Sequence, residues 1–320
     1  MTGQGPIPDG GGLLLVDKPA GCTSHDVVAR VRRVLGTRRV GHAGTLDPMA
    51  TGLMVLAVER STKLLGQLAL TEKTYLATIR LGSATTTDDA DGETTTSAGA
   101  DLVAGVSPEQ IRTGMTSLTG DILQVPSSVS AIKVDGRRAY DLVRAGQDVV
   151  LAARPVTIAR FDRLGQERYG DGFIDLDVAV ECTTGTYIRS LARDLGSALG
   201  LGGHLTALRR TVVGPFAVVD AVDVYGPAGL PQRGGPRSEI SPQFAAEVAA
   251  SVIPAAEAVR AAFAVRTVDG DLARDMRFGR PVPAAGLDGV YGLYHQDALL
   301  ALVEESNGLA RARLVWDPAG

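Results

Sequence analysis

The run Gly41-His42-Ala43-Gly44-Thr45-Leu46-Asp47-Pro48-Met49-Ala50-Thr51-Gly52 holds a single acid among residues that shape backbone rather than fill a core. Its glycines let the chain take positive φ and approach a ligand closely. Pro48 stiffens the chain directly after the acid and removes one backbone donor. Such a loop can hold one carboxylate at a fixed place, where it can act as a nucleophile or as an electrostatic stabiliser. An Asp-Pro pair alone is ordinary turn chemistry, but the whole string is more specific. Cys22 and Cys182 are far apart and match no zinc spacing, and no Rossmann fingerprint is present. Neither a metal nor a redox cofactor is therefore expected. A thiol hydrolase built on Cys22 and His25 would lack an orienting third group and an oxyanion motif.

The elements around the loop must position that acid. Leu13 to Val16 reads as a short apolar strand stopped by Lys18-Pro19. Thr23 or Ser24 can cap a helix whose Val27, Val28, Val31, Val34 and Leu35 recur at helical spacing before Gly36 ends it. Leu53 to Val58 then reads as a buried strand, so the loop sits between a helix and a strand. Thr74 to Leu81 and Phe173 to Glu181 alternate as strands, and Arg154 to Leu164 is β-rich. Thr85 to Gly92 is an acidic, Thr-rich connection. Ser107 to Leu118 predicts a helix opened by Ser-Pro-Glu, Asp135-Gly136 a hairpin or strand-to-helix turn, and Thr186 to Leu199 a helix stopped by Gly200. Strands and helices do not alternate strictly, which predicts an α+β fold with a mixed sheet.

The chain has 320 residues, 45% of them hydrophobic and 21% charged, which supports a real core. No apolar run reaches the length of a membrane span. The Gly- and Pro-rich stretch 1–12 reads as a flexible leader without signal-peptide features. Cysteine usage predicts a reduced, cytoplasmic setting without a structural disulfide. A net charge of −4 is unusual for a nucleic-acid partner. The distribution is more telling: Arg30, Arg32, Arg33, Arg38 and Arg39 form one basic cluster, Lys133, Arg137, Arg138 and Arg144 a second, and Arg189, Arg193, Arg209 and Arg210 a third. Composition shifts to Gly, Pro, Arg and Ser from about Tyr225 to Pro242, marking a linker. Ala245 to Ala262 then reads as helical around Pro254, Asp269 caps a short helix ended by Gly279, and Pro281 to Val315 reads as short strands.

GHAGTLDPMATGLM resembles the catalytic loop of the tRNA pseudouridine synthase B (TruB) family, of the bacterial stand-alone type. LLLVDKPAGCTSHDVV upstream and EKTYLATIRLGSATTTDDADG downstream are also similar to that family. So are GDILQVPSSVSAIKVDGRRAYDLVRAG and CTTGTYIRSLARDLG followed by GGHLTALRRTVVGPF, in the family's order. The resemblance runs from Gly12 to Phe216. One departure lies in TTTDDADG, where family members tend to carry an acid near the second Thr; that loop is not the catalytic one.

The resemblance implies a pseudouridine synthase fold, with a largely antiparallel mixed sheet flanked by helices, over 13–225. A linker and helical connection follows over 226–260. Residues 261–320, with DLARDMRFGRPV as signature, resemble a degenerate PUA-type RNA-binding domain. The implied activity is isomerisation of a uridine in the T loop of tRNA by base flipping, without cofactor or metal. Asp47 matches the catalytic carboxylate and Arg189 the arginine that pairs with it. Tyr75 matches the tyrosine that stacks on the target base; Tyr187 and Leu208 match residues lining the uracil pocket. His42 matches a histidine supporting the flipped nucleotides, and Lys18 a lysine near the site with a supporting role. The first and third basic clusters would flank the pocket as phosphate-binding arginines. The implied partner is tRNA, gripped at the T arm and toward the acceptor end, by a monomer with no membrane and no obligate protein partner. Rival readings are an RNA-refolding protein with secondary chemistry and a guide-RNA-dependent relative; the latter carry longer terminal extensions.

Overall fold

The computed structural model describes residues 7–69, 71–127, 151–226, 229–230 and 239–318, with backbone alone at 133–134 and 137–138. A mixed sheet forms its centre. In chain order the strands of its main path are β1 (Gly12–Lys18), β2 (Thr51–Val58), β3 (Lys73–Leu81), β4 (Gly120–Gln124), β5 (Arg154–Arg163), β6 (Phe173–Cys182), β7 (Gly203–Val213) and β8 (Ile253–Pro254), with short strands at Val40–His42, Arg168–Gly170 and Phe216–Ala217 pairing beside it. The main-path strands lie side by side in the order β8-β1-β2-β7-β3-β6-β5-β4. Within that order β7 runs parallel to β2 and the other neighbours are antiparallel. The expected α+β class, with a largely antiparallel mixed sheet, is what the chain adopts.

Strand patterning follows from what covers each face. β1 and β2 are nearly continuous apolar runs because both of their faces are buried. Leu14, Val16, Met54, Leu56 and Val58 join the core beneath the helices, while Leu13, Leu15, Leu53, Val55 and Ala57 join a second core on the opposite side. β3 alternates, putting Lys73, Tyr75, Ala77, Ile79 and Leu81 on one buried face. Helix α1 (Ser24–Val34) opens at Thr23 with a capping box: the Thr23 side chain accepts from the Asp26 amide, and the Asp26 carboxylate accepts from the Thr23 amide. Helix α2 (Pro108–Ser117) has the same device at Ser107 and Gln110. Helix α3 (Ile188–Ala198) starts at Tyr187, slightly later than the sequence predicts. Gly196 lets α3 close on β7, since a Cβ there would lie 2.2 Å from the Gly202 carbonyl carbon.

The Ala-rich stretch breaks at Pro254 into α4 (Pro242–Ala250) and α5 (Ala255–Ala262), with β8 between them on the edge of the main sheet. Helix α6 (Gly270–Arg277) is capped by Asp269 as expected. Strands β9 (Ala264–Thr267), β10 (Val282–Pro283), β11 (Val290–His295), β12 (Ala298–Ser306) and β13 (Leu309–Val315) form a second sheet in the order β9-β11-β12-β13-β10. This β-rich part is not a detached appendage. Ala255, Ala258 and Val259 of α5, with Tyr294, Leu299 and Leu302, pack on Leu13, Leu15, Leu53 and Val55 of β1 and β2. Each such aliphatic side chain contributes roughly 1.5–3 kcal/mol when buried, against a net stability on the order of 5–15 kcal/mol. Residues 1–225 alone are therefore expected to lose cooperative unfolding in a urea titration. A fragment melting as sharply as the full chain would show that this packing is dispensable.

Candidate active site

The loop from Gly44 to Gly52 is fastened to the sheet by side chains more than by its own backbone ladder. Lys18, at the end of β1, is fully buried, and its Nζ donates to the carbonyls of Ala50 at 2.6 Å, Pro19 at 3.0 Å and Pro48 at 3.2 Å. Burial lowers its ammonium below the ordinary lysine range, and the nearby Asp47 carboxylate opposes that shift. Ser24, at the start of α1, ties the other side: its hydroxyl donates to the Leu46 carbonyl at 3.0 Å, and the Leu46 amide donates back at 2.9 Å. Asp47 is thus presented from a loop anchored by both β1 and α1.

Arg189 lies on the first turn of α3 with only 4% of its side chain exposed, while Asp47 keeps an open side at 34%. One edge of the guanidinium meets Asp47, with Nε 2.9 Å from Oδ2 and Nη2 donating to Oδ1 at 3.2 Å. Its other edge is held from behind. Nη1 donates to the Thr87 carbonyl at 2.7 Å and to the Ser127 hydroxyl at 3.2 Å, and lies 3.5 Å from Asp89 Oδ2. Burial pushes the Asp47 carboxyl above the ordinary carboxylate range; Arg189 pulls it down, and Asp89 adds to the rise.

The acidic loop discounted at the sequence level is therefore part of the site. Asp89 is buried and shares the guanidinium with Asp47, and Asp88 takes Arg193 of α3 at 3.3 Å. The Thr residues explain how this loop is folded: Thr85 Oγ1 donates to the Asp89 carbonyl at 2.7 Å, Thr87 Oγ1 donates to the Asp89 carboxylate, and Asp88 O accepts from Leu205 on β7 at 3.0 Å.

Asp47 opens onto a pocket of about 250 Å³ lined by Tyr75, Tyr187, Arg189, Leu208, Lys73 and Arg210 together with the Thr183–Thr186 turn. Tyr75 and Leu208 come from adjacent strands β3 and β7, and both are buried. Tyr187 sits at the N-cap of α3, and its backbone is gripped by a residue not among the expected site residues. The buried Gln124 side chain accepts from the Tyr187 amide at 2.8 Å and donates to the Tyr187 carbonyl at 3.1 Å. Lys73 donates to the carbonyls of Thr71 at 2.5 Å and Ala69 at 3.2 Å, and burial pulls its ammonium down to about 8. Lys18 lies beneath the loop, outside the pocket lining. His42 is also outside it, on the short strand Val40–His42 that pairs with β2, its ring edge-on to His25 at 5.9 Å. Burial, with His25 adding to it, lowers the His42 imidazole below its usual value.

The family model for the N-terminal domain of TruB family pseudouridylate synthases matches residues 32–188, and that for the tRNA pseudouridylate synthase B C-terminal domain matches 189–225. The tRNA pseudouridine synthase B of Nocardia farcinica is 52% identical over 311 residues, covering 97% of this chain and 94% of that one. The chain belongs to the TruB family. The Rhodococcus jostii member is 53% identical over 312 residues, covering 97% and 95%. A chain in the crystal structure of a Cbf5-Nop10-Gar1 complex shares the fold at a TM-score of 0.69 and 24% identity, covering 98% of this chain and 88% of that chain.

Within this TruB chain, the arginine clusters divide differently from the sequence expectation. Arg189 and Arg210 are buried, Arg193 pairs with Asp88 and Asp194, and Arg209 pairs with Asp17 at 2.7 Å. The third cluster is therefore site scaffolding, not a free phosphate-binding surface. In the first cluster Arg30 is buried, donating to the Val224 carbonyl at 2.8 Å, while Arg32, Arg33, Arg38 and Arg39 stay exposed. The side chains of Lys133, Arg137, Arg138 and Arg144 lie outside the described residues. The two short strands around Asp135-Gly136 pair as Lys133↔Arg138 and Val134↔Arg137. Cys22 and Cys182 are both free and buried. Gln124→Ala would remove the side-chain acceptor of the Tyr187 amide, at a cost of about 1–3 kcal/mol, while the Tyr187 carbonyl keeps the Ser190 and Leu191 amides. The expected outcome is a lower urea midpoint and a roughly tenfold higher KM for the RNA substrate; an unchanged KM would remove Gln124 from the pocket's support.

Proposed function

We propose that this enzyme converts a uridine in the T loop of transfer RNA to pseudouridine, with Asp47 as the reacting carboxylate. The observation that carries this is the Asp47–Arg189 pair, opening on one side into a pocket walled by Tyr75 and Leu208. The reaction breaks the C1′–N1 bond with its electron pair leaving on the uracil. The base then turns, C5 bonds to C1′ and gives up its proton, and N1 takes one. Nothing is oxidised and no atom is lost, so one fixed charge at the sugar or the base is the chief requirement. Asp47 meets it: Arg189 favours the ionised form, and the open side leaves an oxygen edge toward the pocket.

A T-loop base is stacked inside folded RNA, and extruding it costs a few kcal/mol. Stacking on an aromatic face returns roughly 1–3 kcal/mol per base, which is the role assigned to Tyr75. Tyr187 and Leu208 supply the remaining walls. Lys18 holds the loop that carries Asp47, and His42, at the loop's entrance, supports the displaced nucleotides. Arg32, Arg33, Arg38 and Arg39, exposed on the stretch leading to His42, suit phosphate contacts. In this reading 13–225 forms the catalytic unit, and the β-rich 261–320 is a PUA-like part that grips the tRNA toward its acceptor end. The enzyme acts as a cytoplasmic monomer without an obligate protein partner. The relatives' shared name supports the substrate class.

The test is tritium release from T-arm RNA carrying 5-tritiated uridine. Release is expected from the hairpin and from full tRNA, and should vanish when the T-loop uridine is replaced by cytidine. No release from either RNA would leave a tRNA-binding or refolding protein as the better reading.

A further inference from the structure

Arg210 is among the largest fully buried side chains of the protein, and among the described residues no carboxylate forms an ion pair with it. A buried guanidinium without an acid has to be compensated by other oxygens. Here Nε donates to the Leu53 carbonyl at 2.7 Å, Nη2 to the Gly44 carbonyl at 3.1 Å and Nη1 toward the Thr45 carbonyl at 3.5 Å. Tyr75 is the register partner of Arg210 on the neighbouring strand β3, so the two side chains share one face of the sheet and line the same pocket. Gly44 and Thr45 precede Asp47 and Leu53 follows it, so a single side chain from β7 ties both arms of the loop together beside the pocket's aromatic wall.

The loop's glycines fit this arrangement independently. Gly44 has φ +103°, and a Cβ there would lie 3.4 Å from Arg210 Nη1. Gly52 has φ +101°, and a Cβ there would lie 2.2 Å from the Arg210 carbonyl oxygen. Gly52 needs glycine because the loop closes on the Arg210 backbone as well as for its own turn, and Gly44 for its positive φ.

We propose that Arg210 is a positioning residue, holding the Asp47 loop through the carbonyls of Gly44, Thr45 and Leu53 in fixed relation to its cross-strand neighbour Tyr75. The proposal rests on Asp47 being the reacting group. Lysine keeps the charge at this position but cannot serve three carbonyls from a planar fork. A displacement on the order of 1 Å at a reacting group costs about 10²-fold in rate.

Single-turnover tritium release and RNA affinity are measured for the full chain as wild type, Arg210→Lys, Tyr75→Phe and the double variant. Arg210→Lys is expected to slow the single-turnover rate about 10²-fold, with RNA affinity nearly unchanged. In the Tyr75→Phe background its further loss should be smaller, because the two act together. Gly44→Ala, which strains the loop at its positive φ beside Nη1 without removing the charge, is expected to slow the rate in the same sense and serves if Arg210→Lys does not fold. Arg210→Lys turning over within about threefold of wild type, or a rate loss matched by lost affinity, would overturn the proposal. A readout independent of turnover is the 13Cζ resonance of Tyr75, assigned by its absence in Tyr75→Phe. It is expected to move in Arg210→Lys and Gly44→Ala, and an unmoved resonance overturns the proposal. A wild type that releases no tritium removes the functional reading instead, and the Arg210 clamp then stands or falls on the resonance.

Discussion

Replacing Asp47 by asparagine is expected to cut tritium release from T-arm RNA by at least about 10³-fold, while RNA affinity stays within about threefold of wild type. Asparagine keeps the size and one carbonyl oxygen but removes the charge that the reaction uses. Binding is spared because the phosphate contacts fall to exposed arginines elsewhere. A stability measurement separates this loss from misfolding. The folded Asp47 carboxyl lies above its unfolded value because of burial, with Arg189 opposing. Its contribution to stability is thus full below the unfolded pKa and is lost as pH rises through the folded one. At neutral pH the ionised carboxylate is a cost, so Asp47→Asn should melt at or above the wild-type temperature. A variant that melts higher and no longer turns over would tie the loss to chemistry. Turnover within tenfold of wild type would take Asp47 out of the reaction.

The parts of the fold that could be read from sequence are those whose local pattern and tertiary role agree. α1 has its capping box and valine spacing, α2 its Ser-Pro start, and β3 a clean alternation that one buried face demands. β7 has no such agreement. Periodicity assigns GHLTALRRTVV no element, yet it lies between β2 and β3 at the centre of the sheet. His204 and Arg210 are buried in it because their polar atoms find oxygens brought by distant segments: Ser83 O for the imidazole, and Leu53 and Gly44 O for the guanidinium. Periodicity cannot report a charge whose compensation arrives from far along the chain.

The site shows the same limit. Asp47, Tyr75, Tyr187, Arg189 and Leu208 were legible through motif resemblance, and the fold gathers them around one pocket. Asp88 and Asp89 read only as part of an acidic, Thr-rich connection because the arginines that engage them, Arg189 and Arg193, lie about a hundred residues later in sequence. Gln124 lies within one of the motifs, but its residue type points to no role, since its work is done on the backbone of Tyr187. Arginine clustering misled for a related reason: a guanidinium beside a basic neighbour looks like a phosphate site until its carbonyl and carboxylate partners are known.

The second large effect is expected at Arg189. Arg189→Met leaves Asp47 and Asp89 facing each other across a buried gap with no cation between them. Removing one partner of a buried pair costs about 3–5 kcal/mol, and the open side of Asp47 places the expected loss near the lower bound, about 3 kcal/mol. The pH dependence carries the sharper information. Asp47 must be ionised to act, so kcat/KM should fall on the acid side, with a limb above the ordinary carboxylate value of 3.8. Arg189 lowers the Asp47 pKa through charge and hydrogen bonding, so removing it moves that limb to higher pH. At neutral pH the loss of a preorganised partner should cost about 10²–10³-fold in kcat. Arg189→Lys retains the charge but gives up the fork that meets Asp47 along one edge and Thr87, Ser127 and Asp89 along the other. It should keep most of the limb's position while losing part of the rate. If instead both variants slow equally and neither moves the limb, Arg189 acts by holding the loop in place and the acid limb belongs to another group. That result would leave the scaffold argument standing and withdraw the electrostatic one.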